Sequence, residues 1–335
     1  MQPTIKDVAR AAGVGVGSVS RYLNGVRVKD STAQAIQAAI RALDYRPNTI
    51  ARSLKTNRSG TVGILVNDIT ELFSVTVSRY MEHIFYEQGL VCIISDTMGN
   101  LELERSRVRT LADKMVDGLI VYPCSDEVGH LREAQQRGIP VVLLDSRSQD
   151  MACDQVVVDN RGALHAAADY LLELGHRRLG ILSGDPGRYS SRQRLQGYLD
   201  ALRDRGLAPD PSLIRADGYS EEAGRQGVAA LLALDAPPTA LIACNYYTTL
   251  GAVKALGERG VDIPGQISLM GFDNLGLSDL VRPHLSLVAQ PMQDMGRLAA
   301  QLLLARMRGD EEGFPQMREM PFEMLLRDST TRVRT

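Results

Sequence analysis

Seven short apolar runs punctuate residues 61–335, and their spacing limits the fold more than any other property of the chain. They are Val62–Val66, Val91–Ser95, Gly118–Tyr122, Val141–Asp145, Leu179–Ser183, Ala240–Cys244 and Ile267–Phe272. Helical stretches separate them, several ending at a glycine: Gly89, Gly138, Gly175, Gly206 and Gly260. A short run that is apolar on both faces suits a strand inside a parallel sheet, and parallel neighbours need crossover helices. The pattern predicts a doubly wound α/β fold. About 275 residues is large for one such sheet, so two sheets in tandem are expected.

The first sixty residues are of another kind. They carry ten Lys and Arg against three Asp, whereas the rest carries 28 basic and 37 acidic side chains. A basic short end on an acidic body predicts a polyanion-binding module joined to something that does not bind polyanions. Thr4-Ile5-Lys6-Asp7 has capping-box spacing, Ile5, Val8, Ala9 and Ala12 follow at helical spacing, and Gly13 ends the segment. A second helix is predicted from about Val16 to Leu23, stopping at Asn24-Gly25. A third runs from about Ser31 to Leu43, with Ile36, Ile40 and Leu43 inward, and halts before Pro47. Three short helices, the first two joined through Gly13, have the layout of a helix-turn-helix. Gly13-Val14-Gly15-Val16-Gly17 imitates a dinucleotide fingerprint. A capped helix precedes it instead of a strand, and no acid closes a βαβ unit, so no nucleotide cofactor is expected.

Composition excludes other classes. With 44% hydrophobic residues the chain can build sizeable cores and is not disordered. No apolar run approaches the roughly 18–20 residues of a membrane span, and the N-terminus lacks an apolar signal segment, so a cytoplasmic protein is expected. Cys92, Cys124, Cys153 and Cys244 are scattered and read as free thiols. His83, His130, His165, His176 and His284 have no metal or triad spacing, and no Walker or GxSxG pattern occurs. Neither a metal nor catalysis is expected.

Residues Thr4 to Val14, then Ser18-Val19-Ser20-Arg21-Tyr22-Leu23-Asn24-Gly25, Ala35 to Asn48, and Ala51-Arg52-Ser53-Leu54-Lys55-Thr56 together resemble the start of the lactose-repressor (LacI/GalR) family. The similarity continues through the body. It implies a small all-α helix-turn-helix DNA-binding domain (1–47), a hinge helix and linker (48–60), and an α/β two-lobed periplasmic-binding-protein-like effector domain (61–335) with two doubly wound parallel sheets. The N-lobe would comprise about 61–159 plus 289–318, the C-lobe about 160–288 plus 319–335. The resemblance further implies a homodimeric repressor on a palindromic operator in double-stranded DNA. Val16, Gly17 and Arg21 would face the major groove, and Arg21 suits bidentate pairing with guanine. Ser18 and Asn24 would hold phosphates. In the hinge, Leu54 would wedge into the minor groove, flanked by Arg52 and Lys55 on the phosphates. Gly15 stands where relatives have Ser or Thr, and Val16 and Gly17 replace hydrogen-bonding side chains, so the base code is not transferable. His176, in Leu174-Gly175-His176-Arg177-Arg178, matches a family turn where it would be structural. No leucine heptad closes the chain, so a coiled-coil tetramer is not indicated.

Polar residues just past the apolar runs are candidates for a cleft ligand: Asn67, Asp68, Asp145, Asn245 and Asp273. The same position also caps the following helix. By resemblance Arg194 would reach the effector, with Arg188, Ser190 and Arg192 on the same loop, Tyr219 as an aromatic wall, Gln290 as a polar contact, and Phe73 as an apolar contact from the first lobe. Three arginines in one loop favour an anionic sugar acid or phosphosugar. A neutral sugar follows instead if Arg192 is not in the site. Tyr246 stands where relatives show Asp, which leaves a nucleobase open. A carbohydrate-binding protein without a DNA role is the remaining alternative.

Overall fold

In a computed structural model, residues 3–23, 25–46, 58–273 and 276–333 are described here. The chain divides into two compact units, Met1–Ser59 and Gly60–Thr335. Asn24 and the segment 47–57, with Arg52, Leu54 and Lys55, lie outside the described residues.

In the first unit, α1 (Ile5–Ala12), α2 (Val16–Leu23) and α3 (Asp30–Ala42) pack around Val8, Ala9, Val19, Ile36, Ala39 and Tyr45. The Asp7 carboxylate accepts from the Thr4 backbone N–H at 2.9 Å and from the Thr4 hydroxyl at 2.7 Å. Gly13 closes α1 at φ 63°, a left-handed conformation that glycine adopts without strain.

The second unit holds two six-stranded sheets. The first has strand order β11-β5-β4-β3-β1-β2, all parallel, from β1 (Thr61–Val66), β2 (Val91–Asp96), β3 (Gly118–Val121), β4 (Val141–Leu144), β5 (Asp154–Val158) and β11 (Met317–Met320). The second runs β12-β10-β9-β8-β6-β7, from β6 (Leu179–Leu182), β7 (Ile214–Arg215), β8 (Ala240–Ala243), β9 (Ser268–Phe272), β10 (Ser286–Ala289) and β12 (Glu323–Leu325). Only β12 in that sheet is antiparallel to its neighbour. The chain therefore passes between lobes after β5, after β10 and after Met320.

Each sheet is covered on both faces. In the first lobe α4 (Leu72–Glu87) and α12 (Met292–Met307) cover one face, α5 (Leu101–Asp113) and α6 (Arg132–Gln136) the other. In the second lobe α7 (Asn160–Glu173) and α8 (Tyr189–Asp204) oppose α9 (Glu221–Leu232) and α10 (Tyr246–Glu258). The short α11 (Leu277–Leu280) precedes β10. Among the described residues no helix is long and apolar enough to cross a membrane.

His176 is buried at the turn into β6. Its Nδ1 lies 2.8 Å from the Thr239 hydroxyl, and its Nε2 lies 3.0 Å from the Thr331 carbonyl and 3.1 Å from the Ser268 hydroxyl. Burial holds its pKa below the ordinary 6.5. The unfolded chain therefore binds this proton more readily. The stability His176 confers is complete above about pH 6.5 and is lost as the pH falls through the lower folded value. Urea midpoints should decline with acidification below pH 6.5, and the decline should be shallower in His176→Gln; identical pH profiles would contradict this.

Candidate functional site

On α2, Val19 points into the small core while Val16, Gly17 and Arg21 are exposed, and Ser18 is half-buried beside them. Gly17 and Ser18 lie four and three residues before Arg21 and so share its side of the helix, with Val16 at that side's edge. That solvent face carries a guanidinium and a valyl side chain, 41% exposed, with no side chain between them at Gly17.

In the second unit the topology locates a cleft. Strand order reverses between β1 and β3 in one sheet and between β6 and β8 in the other. Loops leaving the carboxyl ends of such strands diverge and open a crevice. Asn67 follows β1, Asp145 follows β4 and Asp273 follows β9. Asp145 and Asp273 adopt left-handed backbone, φ 54° and 67°, a conformation in which aspartate is enriched at sites held by their surroundings. Each continues the ladder: Asp145 N–H donates to Val156 at 3.0 Å, Asp273 N–H to Val288 at 2.8 Å.

Arg194 is the hub. It is buried on α8 against the Phe272 ring, its guanidinium carbon 4.0 Å from the centroid and 5.7 Å from that of Tyr219. It donates from Nε to Asn160 Oδ1 at 2.7 Å, from Nη1 to the Cys244 carbonyl, and from Nη2 to Gln290 Oε1 at 3.5 Å. Gln290 in turn donates to Asp273 Oδ1 at 2.7 Å. Tyr219 can lie this close to β6 because residue 184 is glycine; a Cβ there would meet its ring at 2.3 Å.

Burial raises the carboxyl pKa of Asp145, Asp273 and Glu71, against the opposing pull of Arg194 on the first two and Arg188 on the third. Burial also pushes the Tyr219 hydroxyl up to about 12. The lobes leave a cavity of only about 10 Å³, room for about one water molecule, among Asn67, Tyr122, Ser125, Asp145, Arg188 and Ser190. Asn67 Oδ1 and Asp145 Oδ1 on one side of the cleft, and Ser191 Oγ and Tyr219 Oη on the other, are buried with no hydrogen-bond partner among the described residues. Buried polar atoms without partners are uncommon and mark places where a ligand can supply the missing bond.

Four expected cleft residues are otherwise engaged. Arg192 forms an ion pair with Asp126 of the first lobe, so it is not free to grip an anion. Asn245 caps α10: its Oδ1 accepts from Thr248 N–H at 2.8 Å and its Nδ2 donates to the Tyr219 carbonyl at 3.0 Å. Asp68 is exposed and closes a turn by accepting from the Thr70 N–H and hydroxyl. Phe73 is 7% exposed, within the first-lobe core and edge-on to Tyr122 at 6.4 Å. Conversely Asn160, Tyr122 and Glu71 belong to the site although no sequence signal singled them out. Asn160 obeys the strand-end rule, but β5 opens with Asp154-Gln155 and so shows no full apolar run. Among the described residues no cluster of His, Cys, Asp and Glu could hold a metal.

Comparison with known proteins agrees with both units. Residues 4–48 match the bacterial regulatory proteins, lacI family, and residues 168–330 match a periplasmic binding protein-like domain. The HTH-type transcriptional repressor PurR of Vibrio atlanticus is 34% identical over 329 residues, covering 97% of this chain and 98% of that one. The solved complex of the transcriptional regulator CelR with cellobiose superposes with a TM-score of 0.74 at 27% identity, over 98% of this chain and 99% of that one. The lac repressor dimer bound to operator and the anti-inducer ONPF shares the fold at a TM-score of 0.88 and 24% identity, over 99% and 100% of the two chains. With a helix-turn-helix unit, two mostly parallel sheets and a relative 34% identical over 97% of the chain, the chain belongs to the lacI family of bacterial regulatory proteins.

Proposed function

We propose that this DNA-binding regulator is a homodimeric transcriptional repressor whose operator affinity is set by a small neutral, polyhydroxylated molecule held between the lobes. The observation that carries the ligand class is the charge balance of the cleft. Arg188 and Arg194 face Glu71, Asp145 and Asp273, while Arg192 is neutralised by Asp126. An added carboxylate or phosphate would lie among three carboxyl groups and find Arg194 already bonded to three acceptors, whereas hydroxyl groups would supply donors to Asn67 Oδ1 and Asp145 Oδ1. This reverses the preference that the arginine count alone suggests. The cellobiose bound by CelR is a ligand of the same chemical class. A thermal-shift panel of neutral sugars, sugar acids and phosphosugars tests the reading. A true ligand at 100 times its dissociation constant adds about 2.7 kcal/mol; stabilisation by the acids or phosphates alone would reject it.

The DNA role is supported by the exposed face of α2 and the ten basic side chains of residues 1–60. Affinity should fall steeply with salt as phosphate contacts release counterions. Arg21→Ala is expected to relax discrimination at one base position by about 1–3 kcal/mol. Binding to a randomised site library measures this; an unchanged preference at every position would remove Arg21 as a base reader. Leu54, Arg52, Lys55 and Asn24 keep their proposed roles at the hinge and the phosphates, and the paired half-sites of a palindrome call for two copies of the chain.

A further inference from the structure

Among the bonds that the chain itself makes across the cleft, two come from Arg192 and Tyr247 of the second lobe. On α8, Arg192 donates from Nη1 to the Pro186 carbonyl at 2.9 Å, which steadies the guanidinium, while Nη2 pairs with Asp126 of the first lobe. In the first turn of α10, Tyr247 donates its hydroxyl to the Thr70 carbonyl at 2.5 Å, and the Tyr246 ring lies edge-on to it at 5.3 Å.

Both anchors on the first-lobe side are held from behind. Thr70 sits in the turn closed by Asp68 Oδ1, which accepts its N–H at 2.7 Å and its hydroxyl at 2.6 Å. Asp126 belongs to the loop after β3, beneath which lies the fully buried Glu104. Glu104 Oε2 accepts the Cys124 N–H at 2.7 Å, and Oε1 lies 2.8 Å from His130 Nε2. The Cys124 bond ties this buried carboxylate to the segment that carries Asp126. The loop is thereby fixed before it meets the second lobe.

We propose that the Arg192–Asp126 and Tyr247–Thr70 contacts form a latch that holds the two lobes closed without any small molecule. An exposed ion pair alone contributes little. Opening the cleft, however, breaks both contacts in one motion, so their contributions combine in the closed-to-open ratio. For the effector reading above, on which its regulatory meaning rests, the latch implies that the ligand biases a cleft already inclined to close.

The test needs neither effector nor DNA, so its failure is distinct from failure of that reading. The chain contains no tryptophan. Tyr189→Trp, on the cavity wall, therefore gives a single fluorescent reporter in the full-length protein. In this parent, acrylamide quenching should be weak. Arg192→Asp, Asp126→Arg and Tyr247→Phe should each raise it at least about twofold, and Asp126→Arg combined with Arg192→Asp should return it towards the parent value. Far-ultraviolet circular dichroism confirms that each variant is folded. Quenching that is equal in the parent and the single variants, or a double reversal as exposed as either single one, overturns the latch.

Discussion

Arg194→Ala should abolish the response to effector while leaving DNA binding intact, and should destabilise the second unit by about 3–5 kcal/mol. One guanidinium serves three acceptors, on Asn160, Cys244 and Gln290, and its positive charge acts on both Asp145 and Asp273. Removing it leaves those carbonyls short of donors and two buried carboxylates without their counter-charge. Lysine should not rescue: a single ammonium lacks the planar fork that serves three acceptors while keeping its carbon 4.0 Å from the Phe272 ring centroid. Urea unfolding of the full chain measures the loss. A change below about 1 kcal/mol would show that Arg194 is not the hub of the site.

A second large effect is expected at Arg306→Ala, again about 3–5 kcal/mol and now in the first lobe. Arg306 on α12 donates to both carboxylate oxygens of Asp154, at 2.7 and 3.3 Å, and the pair is almost wholly removed from solvent, with side-chain exposures of 6% and 0%. Asp154 Oδ1 also accepts the Gln316 N–H at 2.7 Å, so the pair joins α12, β5 and the approach to β11. Truncating the arginine leaves a buried carboxylate whose charge is unanswered. Combining Arg306→Met with Asp154→Asn should recover most of the loss, since asparagine keeps an acceptor for Gln316. If the double variant is no more stable than Arg306→Ala, charge burial is not the cause.

These two residues also mark where the sequence is legible and where it is not. The helix-turn-helix unit is written in local signals: the Thr4–Asp7 cap, the Gly13 turn and the glycine at 25 bound helices that form at Ile5–Ala12 and Val16–Leu23. The seven apolar runs become β1, β2, β3, β4, β6, β8 and β9. Strand β5 escapes that pattern because it begins with Asp154, whose charge is answered by Arg306, 152 residues away. The exposed strand β11, Met317-Arg318-Glu319-Met320, has no buried face to produce a pattern. The strand-end rule brings Asn67, Asp145 and Asp273 to the cleft. It cannot separate them from Asn245, whose amide caps a helix, because both uses place the same residue at the same point. The pairing of Arg192 with Asp126, 66 residues apart, exists only once the two lobes face each other. That pairing changes the inferred ligand from an anion to a neutral molecule.

The central claim is that one molecule in the cleft controls DNA affinity. It is tested most directly by fluorescence anisotropy with a duplex selected from a random pool by the full-length chain. The titration is performed with and without the sugar that stabilises the protein in the thermal-shift panel. The sugar should shift operator affinity by about 1–3 kcal/mol in the wild type, a factor of roughly 5–150, and Arg194→Ala should bind the same duplex with no shift. An operator affinity indifferent to the sugar in the wild type, or shifted equally in Arg194→Ala, would contradict the claim.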